Sequence, residues 1–180
     1  MTTATVAAST ANLATAPAPG LLVRLGCFIY EGVLLFGVVM MAGLAYGVVT
    51  QQRHALVGSS GLQLFLALVF GVYFVTFWTG RGQTLAMLTW HIRLVTEQGQ
   101  PVRWPRAVCR YLLAWLWFVP ALALVQFSGV KGGWPVVAAL TTGVLAYALL
   151  TRLQRDHQYW HDAVCRTRLV VWRPLRRPAS

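Results

Sequence analysis

The chain of 180 residues has four carboxylates, Glu31, Glu97, Asp156 and Asp162, and two of them stand where acid chemistry has consequences. Glu31 is the only charge in the 25 residues from Leu25 to Val49. A carboxylate in such a run is costly unless it faces protein or water and finds a partner. One reading makes Glu31 a proton- or cation-binding acid. The other makes it half of a salt bridge that pins its helix. Arg24 shares its face but lies about 10 Å away along a helix axis, at 1.5 Å per residue. The pair reading therefore points to Arg110 or Arg152. Asp162 is placed to form a second pair with Arg24, Arg81 or Arg93, a contact that fixes register more than it stabilises.

Other chemistry is thinner. His157, His161 and Cys165 recur every four residues and would stack on one helical face, a spacing that suits zinc. No matched carboxylate or CxxC pair accompanies them, so no metal and no cofactor are expected. No GxSxG, phosphate-cradling glycine loop or HExxH occurs, so no enzyme is expected. Gly43-Leu44-Ala45-Tyr46-Gly47 has the small-xxx-small spacing that lets membrane helices approach, within the chain or in a homo-oligomer.

The elements that must hold these groups follow from the apolar pattern. The chain is 57% hydrophobic and 11% charged, against about 25% charged in soluble domains. Charge-poor runs cover 25–49, 62–79, 111–130 and 134–151. A helix needs about 20 mostly apolar residues to cross a bilayer. The sequence predicts an all-α membrane protein, a four-helix transmembrane bundle, with three spans as the alternative because the third and fourth runs meet at a short Lys-Gly-Gly turn. Pro120 falls inside the third run and should kink it or free a carbonyl. Disorder and a disulfide-stapled fold are excluded by the apolar content and by three widely spaced cysteines.

The net charge of +11 comes from 14 Arg and one Lys. With four spans, thirteen of these fall on one side, and only Arg53 and Lys131 on the other. That split places both termini in the cytoplasm. The positive face then meets anionic lipid headgroups of the bilayer rather than nucleic acid. Residues 1–20, rich in Ala, Thr and Pro, read as an unfolded cytoplasmic tail, and 173–180 as a basic one, around a domain at 21–172. No repeat of fixed period is visible, so a transporter of inverted repeats is not indicated.

Two cytoplasmic segments carry the remaining signals. In 80–110, Thr84 can cap a short helix, His91–Thr96 alternates as a half-buried strand, Glu97–Gln100 is a turn and Pro101–Trp104 a possible return strand. Pro105 suits the first turn of the next helix. Asp156–Cys165 reads as an interfacial helix with Tyr159 and Trp160 toward headgroups. Thr167–Trp172 reads as a strand able to pair with Ile92–Val95 in a small cytoplasmic β element.

These motifs resemble the RDD family of small bacterial membrane proteins. The opening Arg and acid appear as RLGCFIYE, with Arg24 and Glu31. The middle signature appears as GRGQTLAMLTWHIRLVTEQG, and the close as HDAVCRTRLVV, with His161 and Asp162. The resemblance covers roughly 22–172. Glu31 replaces the family's Asp. Ala163 replaces the Arg after His-Asp, and Cys165-Arg166 stand where the family has Ala-Gly, so the basic group moves by three residues and keeps its face on a helix. The resemblance implies a protein of the bacterial inner membrane, in a family where sodium–proton exchange or other transport is proposed for a few members. A membrane scaffold or assembly factor is the alternative.

Overall fold

The computed structural model describes residues 13–51, 59–115, 133–150 and 160–172, with Phe118, Ala123, Val125 and Phe127. Two long helices come first, α1 (Leu21–Thr50) and α2 (Ser59–Gly80). A short helix α3 (Leu85–Thr89) and strand β1 (Ile92–Thr96) follow. Then come α4 (Trp104–Ala114), α5 (Gly133–Leu150), the short α6 (Trp160–Val164) and strand β2 (Thr167–Val171).

α1 and α2 are apolar all round, long enough to cross a bilayer, and almost wholly unburied by the protein. Phe36, Met41, Leu44, Val48 and Leu68 all point outward. A helix hydrophobic on every side needs an apolar surround, and no described part of the chain supplies one. α5 is equally apolar and 18 residues long. Between α4 and α5 only a few residues are described, Ala123, Val125 and Phe127 in helical conformation. The expected third span, with Pro120, lies largely outside the described residues. So do Arg152, Arg155, His157, Tyr159 and the tail 173–180.

The tightest packing lies at one end of the helices. Ala86, Ile92, Leu94, Val95, Val102, Ala107 and Val170 are fully buried there. β1 and β2 pair antiparallel, with Leu94 opposite Leu169 at the centre. Pro101–Arg103 has no regular structure and Trp104 already opens α4 with Pro105 in its first turn, so a return strand there does not form. The sheet's other partner comes from 75 residues away instead.

The N-terminal segment is shorter as a tail than its composition suggests. Residues 13–20 run beside β2: Val171 N–H donates to the Pro17 carbonyl at 3.0 Å, and the Arg168 guanidinium donates to the Ala14 and Ala16 carbonyls. Pro19 is buried and accepts a bond from Arg24 Nε at 2.8 Å. Backbone acceptors from the Ala-Pro segment thus cover an edge that would otherwise be exposed.

The structure also corrects the reading that the chain lacks a repeat. α1, α2, α3 and β1 occur in the same order as α4, α5, α6 and β2. The short helices and strands of the two sets stand 75 positions apart, 85–89 against 160–164 and 92–96 against 167–171. The residue turning helix into strand is left-handed in both, His91 at φ 54° and Arg166 at φ 51°. The pairing obeys the same offset: Arg93 opposite Val170 mirrors Val95 opposite Arg168. Even the closing bonds match, Trp172 N–H to the His91 carbonyl at 2.8 Å and Glu97 N–H to the Arg166 carbonyl at 3.2 Å. A pseudo-two-fold axis therefore passes through the Leu94–Leu169 pair and relates the short helix and strand of the first half, 21–96, to those of the second, 104–171. Arg166, expected on a helical face, sits in that exposed turn instead.

Gly82 shows how tightly the first half is joined. Its φ of +70° is left-handed, and a Cβ would lie 2.8 Å from the Leu94 carbonyl oxygen. That closeness lets Leu94 N–H donate to the Gly82 carbonyl at 2.7 Å. Gly82→Ala should lower stability by roughly 1–3 kcal/mol through backbone strain and this clash. Gly80→Ala, with nothing within 4 Å of its Cβ, serves as the control in thermal unfolding and should leave the midpoint in place.

Candidate functional site

Each half carries one charged side chain from its first helix to its short helix. In the first half, Glu31 is buried on α1. Its Oε1 accepts from the Tyr73 hydroxyl of α2 at 2.7 Å, and its Oε2 accepts from the Thr84 hydroxyl. Thr84 also accepts from Met87 N–H at 3.2 Å as the N-cap of α3. One oxygen thus caps a helix while its proton is turned on Glu31. Beside it, Gln83 Nε2 donates to the Ile92 carbonyl at 2.7 Å. The Gly82-Gln83-Thr84 run therefore makes the close approach, the strand clamp and the carboxylate donor in three successive residues. Gly26 completes the joint, because any Cβ there would meet the Trp90 ring that packs against α1.

In the second half, Arg110 Nε of α4 donates to Asp162 Oδ1 of α6 at 2.7 Å, both side chains buried. The Arg110 guanidinium also lies over the Trp78 ring, 4.3 Å from its centroid. Thr167 at the start of β2 donates to Asp162 Oδ1 at 3.2 Å. Asp162 thereby ties α4, α6 and β2 together.

The pairings differ from those the spacing suggested. Arg110 serves Asp162, not Glu31, because α4 runs beside α6 at the sheet end. Among the described residues no cation pairs with Glu31. Arg24, proposed for Asp162, turns its Nε to Pro19. Arg81 is exposed, and Arg93 lies over Trp172 at 5.0 Å. Arg152 is not among the described residues. The sequence reading missed Tyr73 and Thr84 as Glu31 partners. A hydroxyl residue inside the otherwise apolar run of α2 was the available signal for Tyr73.

His161 is buried beside the Asp162–Arg110 pair. Burial pushes its imidazole down from 6.5 to about 4, the Asp162 carboxylate opposing and the Arg110 guanidinium assisting. Its Nε2 lies 3.7 Å from Asp162 Oδ1, beyond a hydrogen bond. Burial pushes the Asp162 carboxyl up more than any one neighbour pulls it down, but the Arg110 charge and hydrogen bond, His161 and Thr167 together hold it below its ordinary range. Both depressed values act in one direction: the unfolded chain binds more protons, so stability falls as pH falls. His161 costs stability between about pH 6.5 and 4, on the order of 2–3 kcal/mol. Asp162 adds to the loss only at still lower pH. His161→Leu should flatten the fall of the thermal midpoint between pH 7 and 4.5, leaving a decline only at the acid end.

Glu31 and Arg110 both line a cavity of about 570 Å³. Its walls come from both halves: Phe28, Phe74 and Thr84 from the first, Tyr111, Trp115 and His161 from the second, Ile92 and Leu169 from the strands on the axis. Among the described residues no cluster of His, Cys, Asp or Glu is suited to hold a metal ion.

The sequence pattern of the RDD family matches residues 18–166, which include Arg24, Glu31, Arg110 and Asp162. The chain belongs to the RDD family. No curated protein and no solved structure matches it. With its family and its outward-facing apolar helices, this RDD chain is a membrane protein. Arg24 and Glu31 hold α1 to its neighbours, and Asp162 holds α4 to α6 and β2.

Proposed function

We propose that this RDD protein binds a small cation or a proton at Glu31 and carries it across the bilayer. One observation supports the reading above all. Glu31 is a buried carboxylate held by two neutral hydroxyls, without an ion pair among the described residues, on the wall of a cavity between two pseudo-symmetric halves. An ionised structural acid in a membrane bundle calls for a cation beside it. Sites of transporters built from repeats lie at the repeat interface, where Glu31 stands. Binding without covalent chemistry is the activity proposed, with no catalytic residue.

Four spans in the inner membrane, both termini cytoplasmic, complete the proposal, supported by the thirteen-to-two Arg and Lys split. The exposed Arg81, Arg103, Arg106 and Arg166 then face anionic headgroups. Association into a homo-oligomer would widen the pathway. Reporter fusions at Ser60 and Ser180 should report opposite compartments; the same compartment for both contradicts four spans. Ion flux into proteoliposomes tests the activity, with wild type conducting and Glu31→Gln silent.

A further inference from the structure

The cavity is far larger than a proton or a bare metal ion needs. About 570 Å³ falls within the range of sites for small organic molecules, which are mostly apolar with a few placed polar groups. Its walls are aromatic: Phe28, Phe70 and Phe74 from one half, Trp115 and Phe118 from the other. Phe28 and Phe118 stack on each other in the wall, ring centroids 6.2 Å apart, and join the two halves there. Aromatic faces attract cations, and a hydrated inorganic ion gains nothing from hydrocarbon walls.

The charges facing the cavity decide the sign of the ligand. Arg110 lines it, but its charge is met by Asp162 at 2.7 Å. Arg24 lines it too, about 10 Å from Glu31 toward the start of α1 at 1.5 Å per residue, and turns its Nε to the Pro19 carbonyl, so the positive and negative ends of the wall stand apart. His161 is neutral at pH 7, its imidazole pushed down to about 4. Glu31 is the charge on the wall answered by hydroxyl groups alone among the described residues.

We infer that the cavity between the two halves takes a lipophilic organic cation, an amine or onium with a hydrocarbon or aromatic body. Its positive centre lies against Glu31, with its body against the aromatic walls of the cavity. This rests on the cation reading of Glu31 and names the substrate class. Such a ligand partitions into the bilayer, so it reaches the site from the membrane.

Tetraphenylphosphonium binding to the full chain, in nanodiscs of zwitterionic phosphatidylcholine, tests it by calorimetry. One saturable site per chain is expected. Glu31→Gln should weaken binding at least tenfold and Phe74→Ala severalfold, while Phe36→Ala, on the outer face of α1, leaves it unchanged. Phe74→Ala keeps the test sound if Glu31→Gln inserts poorly. No binding by the wild type, binding indifferent to Glu31→Gln and Phe74→Ala, or preferential binding of palmitate would each overturn the inference. Glu31-dependent flux of sodium or protons without tetraphenylphosphonium binding overturns it too, yet leaves the cation reading standing. Absence of both Glu31-dependent flux and Glu31-dependent tetraphenylphosphonium binding removes both readings.

Discussion

Asp162→Ala unfolds or depletes this protein, with an expected loss of roughly 3–5 kcal/mol. The substitution leaves the Arg110 guanidinium buried against Trp78 with its counter-charge gone. It also removes one of the two acceptors that Thr167 uses at the start of β2, leaving the Asp162 carbonyl. Asp162 Oδ2 is already buried without a hydrogen-bond partner among the described residues, so the site has no spare donor to help a substitute. Removing both partners is different in kind, since no uncompensated charge remains. The double change Arg110→Met with Asp162→Ala should recover most of the lost stability. Thermal unfolding in detergent and the level of membrane-inserted protein check both, and equal losses in single and double variants would refute the coupling.

Glu31→Gln has the opposite profile. Gln keeps the shape and offers an acceptor to Tyr73 or Thr84, and those hydroxyls can themselves accept from its amide. No described cation is left behind, so the expected cost is only about 1 kcal/mol. Function should vanish while the fold persists: flux falls to the level of empty vesicles, with normal insertion and a nearly normal unfolding midpoint. If Glu31→Gln were lost from the membrane as Asp162→Ala is, Glu31 would be a structural anion and the transport reading would fail.

The contrast between the two acids was not legible in the sequence, and the reason is geometric. Spacing along a helix shows that Arg24 and Glu31 share a face, but partners from other elements depend on which helices are neighbours. Thr84 was legible as a cap from its place before a short apolar helix, and it is one. That the same hydroxyl reaches α1 depends on tertiary packing. The β1–β2 pairing was legible from two β-branched runs of matching length. The repeat was not, because Arg-Leu-Val at 93–95 and 168–170 is too short to stand out in a chain where apolar residues dominate. Backbone conformation preserved it instead, down to the left-handed His91 and Arg166. Composition misled at residues 13–20, where Ala and Pro suggest disorder but backbone carbonyls are what Arg168 and Arg24 require.

The most direct test of Glu31 as the ion-binding group is an infrared difference spectrum of the purified protein between acidic and alkaline buffer, with and without added cation. Tyr73 and Thr84 place this carboxyl in a site of fixed hydrogen bonds, so its protonation should give a distinct band. The account predicts a carboxyl stretch that appears on acidification, moves or disappears when cation is added, and is absent from Glu31→Gln. Spectra of wild type and Glu31→Gln that cannot be told apart would contradict it.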